Sequence, residues 1–341
     1  MKNLVKNNLK FVSVIIPCRN EEKFIGKCLD SVINNDYPKD KLEVLIMDGM
    51  SEDKTREIIQ QYIKKYGFIK ILDNPKKITP CALNIGIKNA KGEIIVFMGA
   101  HSVYEKDYIS KCVKYLQKYN VDNVGGILKS IFKKDSIMNK VIALSLSNSF
   151  GAGNAYYKVG KFKKMKLVDT VFGGCYKKEI FDKIGYFNEK LIRNQDLEFN
   201  LRLKKAGGKI LLVPDIITYY YPKSNFKDFF IHNFKDGFWV IYPLKFKIKG
   251  FSWRHLIPII FVFSLIMLSI LSIFSLFFLY LFLLEIGLYF LTNIYFTTKI
   301  TLDQKNLRYF FILPFIFANR HIGYGLGSIF GLINIFIQKN E

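Results

Sequence analysis

Along the first hundred residues, short apolar runs rich in β-branched side chains alternate with stretches of helical periodicity. Strand-like runs fall at 11–17, 42–48, 68–72 and 93–98. Between them, segments 22–34, 54–66 and 79–90 repeat apolar residues at the spacing of one helix face. Strands that recur with a helix between them pair in parallel, so this part of the chain predicts an open α/β sheet with crossover helices. The next stretch is more mixed. It predicts strands at 123–132, 167–176, 209–213 and 218–221, helices at 137–147 and 195–205, and a glycine-rich loop at 150–153. Ligands of open sheets bind beyond the carboxyl ends of the strands, where this order delivers Arg19, Asn20 and Glu21, then Asp48, then Gly99, Ala100 and His101.

The pattern changes near Leu256. From there to Phe296 Glu285 is the single charged residue, a run too long for one perpendicular crossing of a bilayer whose core needs roughly 20 helical residues. Two helices joined by a tight turn fit it. A second apolar stretch, 309–337, is interrupted by Asn319, Arg320, His321 and four glycines, and reads as a third spanning helix, a kinked one or a re-entrant segment. Between the two patterns, 225–249 is aromatic and basic, which suits a helix lying at a membrane surface or one packed on the preceding domain. The predicted division is a tail at 1–10, an α/β domain at 11–225, an amphipathic interface segment at 226–255 and a membrane region at 256–338.

Charge and cysteine content refine this picture. The formal net charge is +23, but the lysines are spread over the polar part and gather beside the apolar helices. Anionic lipid headgroups account for them without a nucleic-acid partner. Lys245, Lys247, Lys249 and Arg254 crowd the entrance to the first apolar helix, and positions 1–10 lack the apolar core of a secretory signal. Both place the α/β domain on the cytoplasmic side, attached to the cell inner membrane by more than one crossing. The five cysteines lack the spacing of a zinc site and read as reduced, buried thiols.

Taken by chemistry alone, the loop after the first strand offers Pro17, Arg19 and Glu21 to a base or ribose or simply to solvent. Asp48, ending the second strand, is placed to accept from a pyrimidine N–H or a ribose hydroxyl. Asp53 with Thr55 reads as a helix start. Asp196 stands at the head of a helix, suited to the work of a general base or to complementing the helix dipole.

These residues also fall into a recognisable order. The runs from Val14 to Glu21, Asp48 to Thr55, Ala82 to Gly86, Ala90 to Glu93, Phe172 to Tyr176, Phe181 to Glu189 and Asn194 to Glu198 resemble the family 2 glycosyltransferases of GT-A fold, over about residues 11 to 221. Within that family the chain looks most like membrane-anchored bacterial enzymes that extend lipid-linked exopolysaccharide units, on the further strength of 122–126, 168–170 with 193–196, and His321 to Gly325.

The resemblance implies a Rossmann-like nucleotide-diphospho-sugar transferase sheet followed by transmembrane helices. It also implies an inverting transfer of a single hexose, from a UDP-linked donor to a polyprenyl-diphosphate-linked saccharide. Asp196 matches the base, Pro17, Arg19, Glu21, Asp48 and Gly99 the nucleotide-sugar site, and Gly173, Gly174 and Gln195 the acceptor or donor pocket. A divalent cation, Mn2+ or Mg2+, is implied too, yet the family's Asp-x-Asp site reads Gly99, Ala100 and His101, so His101 takes the place of the metal-contacting carboxylate. That departure keeps a rival open, a catalytically silent homologue serving as a binding subunit of a glycan-assembly complex.

Overall fold

The computed structural model describes residues 9–131, 136–153, 155–159, 164–221, 225–248, 251 and 253–337. The chain divides into two compact units, one within 1–129 and 160–221, the other within 130–159 and 222–341. The stretch 11–225 read as one domain is therefore interrupted, because 130–159 groups with the C-terminal helices. Most of the predicted tail, and the predicted strand end at Phe132, lie outside the described residues.

The first unit is built on β1 (Val12–Cys18), β2 (Leu42–Asp48), β3 (Ile69–Asp73), β4 (Ile94–Phe97), β5 (Ser102–Tyr104), β6 (Asn123–Ser130), β7 (Lys166–Leu167), β8 (Cys175–Lys177) and β9 (Ile210–Tyr220). Its helices are α1 (Ile25–Ile33), α2 (Thr55–Lys65), α3 (Thr79–Asn89), α4 (Tyr108–Lys118), α8 (Glu179–Ile184) and α9 (Gln195–Lys205). The strands run in the order β3-β2-β1-β4-β8-β6-β9-β5, with β7 beside β9. β3, β2, β1 and β4 are parallel, and β8 enters antiparallel between β4 and β6. β1 and β2 are buried along nearly their whole length, as parallel strands covered on both faces must be, which is why they read as continuous apolar runs. Their polar members are paired: Ser13 donates to Glu43 at 2.5 Å, and Glu43 also accepts from the Lys91 amide at 2.6 Å.

Three expectations change here. The strand expected at 167–176 is two short strands, because Gly173 and Gly174 turn the chain through positive φ angles of 65° and 101° between them. The strands expected at 209–213 and 218–221 are one, β9. Its pairings to β7 at Leu211 and Leu212 and to β5 from Thr218 to Tyr220 lie on either side of Pro214, and β6 runs beside the same strand. Helix α4 has no counterpart among the sequence-predicted elements, although its apolar face, Tyr108, Ile109, Cys112, Val113 and Leu116, is fully buried in the core of this unit.

The second unit comprises α5 (Ile137–Leu146), α6 (Ser149–Ala152), α7 (Tyr156–Val159), α10 (Phe226–Ile241), α11 (Ile257–Leu271), α12 (Leu276–Gln304) and α13 (Arg308–Ile337). The glycine-rich stretch expected as a loop forms α6, started by Asn148, whose side chain accepts from the Phe150 amide at 2.9 Å. The apolar region splits into two helices, as expected, but the second runs on to Gln304. The interrupted stretch 309–337 is one helix with Pro314 inside it. Its glycines are contact points, not breaks: Gly323, Gly327 and Gly331 face α10, and Gly325 faces Pro258 and Val262 of α11. A Cβ at Gly327 would run into the Phe234 carbonyl and one at Gly237 into the Tyr324 carbonyl, so the two backbones approach closely. The aromatic and basic segment thus packs along α13. Among the described helices, Trp253–Leu271 and Leu276–Gln304 are long and apolar enough to cross a membrane.

Candidate active site

Strand register brings the loops of the first unit together. Cys18 pairs with Asp48, and Asp48 with Asp73, so the segments after β1, β2 and β3 leave the sheet side by side. They are laced to one another. Asn20, at a positive φ of 54°, donates its amide to Ser51 Oγ at 2.9 Å and accepts from the Glu52 amide at 2.9 Å. The Glu21 amide donates to Thr55 Oγ1 at 2.7 Å, and Asp53 accepts from the Thr55 amide at 3.0 Å, the helix-start role expected of it.

Asp48 is fully buried and already engaged. Oδ1 accepts from Ser51 Oγ at 2.6 Å, while Oδ2 accepts from the Ser51 amide at 3.1 Å and from Arg56 Nη1 at 2.6 Å. Arg56 reaches Asp73 as well, at 2.7 Å. Its part was not anticipated, although a cation in the first turn of the helix that follows Asp48 was a readable signal. Asp48 therefore organises the loop 48–51 as well as facing the ligand end of the sheet. Pro17 is half-buried near the end of β1, and Arg19 points to solvent with a loose pairing to Glu52 at 3.9 Å.

The altered Asp-x-Asp position is compact. The Gly99 amide donates to the Tyr104 hydroxyl at 2.6 Å, and its carbonyl accepts from the Ser102 amide and from the Cys28 thiol. Burial pushes that thiol up to about 12, so it stays protonated. A Cβ at Gly99 would lie 3.3 Å from Ser102 Oγ, which leaves little room for a larger residue without adjustment. His101 sits 3.2 Å from Glu21 through Nδ1 and edge-on to Tyr220, with its side chain 40% exposed. Among the described residues no three His, Cys, Asp or Glu side chains converge on a metal-sized site. His101 and Glu21 are the two side chains here that could contact a cation, and of the two only the Glu21 carboxylate is the oxygen donor that Mg2+ prefers. All five cysteines are buried free thiols, as expected, and none joins that pair.

On the other side of β4, the Phe97 amide donates to the Gly174 carbonyl at 3.0 Å, and a Cβ at Gly173 would lie 2.5 Å from the Phe97 carbonyl. Only glycines allow that turn, since both close approach and positive φ exclude a side chain. The turn leads through β8 to Tyr176, and Tyr176 meets α9. There Asn194, at a φ of 59°, starts the helix, and Gln195 and Asp196 follow half-buried in its first turn. One turn further, Asn200 Oδ1 accepts from the Tyr176 hydroxyl at 2.9 Å and from Asn123 Nδ2 at 3.0 Å. Sequence reading passed over this group; a buried asparagine on an otherwise apolar helix face was its only signal.

The parallel half of the sheet gathers its loops at the carboxyl end, with a glycine turn beside the fourth strand and a carboxylate at a helix head. Residues 13–185 match the family described as Glycosyl transferase family 2, and the chain belongs to that family. It is 38% identical, over 65% of its length and 70% of the relative's, to the dolichyl N-acetyl-α-D-glucosaminyl phosphate 3-β-D-2,3-diacetamido-2,3-dideoxy-β-D-glucuronosyltransferase of Methanococcus voltae. It is 26% identical to the succinoglycan biosynthesis protein ExoA of Rhizobium meliloti, over 66% of this chain and 67% of that one. Among solved structures, the mannosyltransferase PcManGT from Pyrobaculum calidifontis, in complex with GDP-Man and Mn2+, shares the fold. Its TM-score is 0.62 at 18% identity, over 95% of this chain and 88% of that one. The protein is a glycosyltransferase of GT-A fold.

Proposed function

We propose that this glycosyltransferase inverts configuration while moving one hexose from a UDP-linked donor to a saccharide carried on a phosphorylated polyprenyl lipid. The reading rests on the family match over residues 13–185 and, beyond that stretch, on a helix-head carboxylate, Asp196, on the helix anchored through Tyr176 beside the Gly173 and Gly174 turn. The donor lies against Pro17, Arg19, Glu21, Asp48 and Gly99, and Gly173, Gly174 and Gln195 line the sugar and acceptor side. Asp196 takes the proton of the acceptor hydroxyl as that oxygen bonds to the anomeric carbon. The bond from this carbon to the diphosphate breaks, and its electron pair leaves on the diphosphate oxygen. His101 and Glu21 would hold a divalent cation here, which when bound would supply positive charge for the leaving group.

The lipid acceptor is supported by the dolichyl phosphate named in the Methanococcus voltae relative's activity and by the two helices apolar enough to cross a membrane. Confining enzyme and acceptor to one surface raises their effective concentration without new contacts. The α/β domain then faces the cytoplasm at the inner membrane.

The test is release of nucleoside diphosphate by the full-length protein in detergent. UDP-glucose, UDP-N-acetylglucosamine, UDP-glucuronic acid and GDP-mannose are offered with and without Mn2+ and a membrane lipid extract. Asp196→Asn should lower turnover by about 10²-fold or more while UDP binding by calorimetry holds. Near-normal turnover would remove Asp196 from the base role. No release from any donor, with UDP still bound, would favour the silent binding subunit, for which the missing aspartate at Gly99 speaks.

A further inference from the structure

Asp196 and Asn200 stand four residues apart on α9 and hence on one side of it. Asn200 is fully buried. The burial of α9 is already supplied by Leu197, Phe199 and Leu203, and an amide among them costs desolvation unless its polar atoms are paired. They are paired, and to three separate segments. Oδ1 accepts from the Tyr176 hydroxyl of β8 at 2.9 Å and from Asn123 of β6 at 3.0 Å, and Nδ2 donates to Thr170 Oγ1 at 2.9 Å. Asn123 and Tyr176 are themselves cross-strand partners, and Thr170 precedes the Gly173 and Gly174 turn by three residues.

We infer that Asn200 is a positioning residue, locking α9 in the register that aims Asp196 at the acceptor hydroxyl. The inference rests on the reading of Asp196 as the base. Apolar packing resists separation of helix and sheet but tolerates small sliding, whereas three directional bonds from one side chain fail together when the helix shifts along or about its axis. Such a lock matters because a displacement of about 1 Å at a reacting group costs on the order of 10²-fold in rate. The network also reaches the carboxylate itself. Burial first, and then the Asp196 charge, raise the Tyr176 hydroxyl above its ordinary range, so Asp196 lies electrostatically beside the hydroxyl from which Asn200 accepts. A second clamp holds the outer side of the helix. Arg202 pairs with both Glu198 oxygens at 3.0 Å and donates to the Ile184 carbonyl and, at 2.8 Å, to the Tyr186 carbonyl.

The experiment is a double-mutant cycle on the full-length protein in detergent, using whichever of the four donors above releases its diphosphate. Asn200→Leu and Tyr176→Phe are each made in the native and the Asp196→Asn backgrounds. In the native background Asn200→Leu should lower kcat by about 10-fold or more and Tyr176→Phe by less, with donor KM and UDP affinity within about twofold. In the Asp196→Asn background neither should add more than about a twofold loss, because a residue acting through the base has nothing left to position. Equal losses in both backgrounds, or an undiminished kcat in the native one, would overturn the inference. Should Asn200→Leu fail to fold, Tyr176→Phe decides by the same cycle, since it removes one hydroxyl and keeps the packed ring. Failure of the base reading shows separately, as retained turnover in Asp196→Asn alone.

Discussion

At the scale of single residues, Asp48 carries two tasks that its place at a strand end does not distinguish. Its carboxylate closes the loop through Ser51 and holds Arg56 against the sheet edge, so any bond to a ligand is made from an already ordered group. Asp48→Ala should weaken UDP binding by about 1–3 kcal/mol, read by calorimetry. An unchanged affinity would leave Asp48 a loop organiser alone. Glu189 gives a pH signature. Hydrogen bonds from Lys76, Cys81 and Asn84 hold its carboxyl down at about 2, below its ordinary 4.5. A carboxyl lowered on folding stabilises fully above its unfolded value and loses that contribution as pH falls through the folded one. The difference in melting temperature between the native protein and Glu189→Gln should therefore shrink between about pH 4.5 and 2. A difference that stays constant over that range would show that the three bonds do not favour the ionised form. The effect is modest, because the Lys76 and Glu189 side chains are 69% and 40% exposed and solvent screens them.

At the scale of elements, the pairing of α10 with α13 depends on what is missing from the side chains. Gly237 and Gly327 let each helix reach the other's backbone, and Ser328 Oγ donates to the Gly237 carbonyl at 3.1 Å. Gly327→Leu should force the helices apart at the Phe234 carbonyl. Overpacking of a tight contact typically costs about 1–3 kcal/mol, so the detergent-solubilised protein should melt several degrees lower. An unaltered melting temperature would mean that the contact yields without cost. From the sequence Gly327 reads as an interruption of a helix, and a similar ambiguity hid α4. Its apolar face could be assigned only once the sheet it covers was in place.

At the scale of the whole molecule, α11 and α12 form a candidate membrane hairpin whose two ends, at Trp253 and Lys305, face the same side if both helices cross. A cysteine at Phe274, in the turn, should then react with a membrane-impermeant maleimide added outside intact cells, and one at Lys305 should not. Labelling of Lys305→Cys would sink the hairpin. By itself the sequence determined what depends on local order: the parallel strands, whose continuous apolar runs follow from burial on both faces, the helix head bearing Asp196, and the family to which those motifs belong. The tertiary structure alone decided what depends on residues far apart in the chain. It set the occupied state of Asp48, the pairing of His101 with Glu21, the close approach of α10 to α13, and the meeting of Asn123, Thr170, Tyr176 and Asn200. Hydrophobic periodicity records which face of an element is buried. A directional bond between segments tens of residues apart leaves no periodic trace, because its partners are brought together only by the order of strands in the folded sheet.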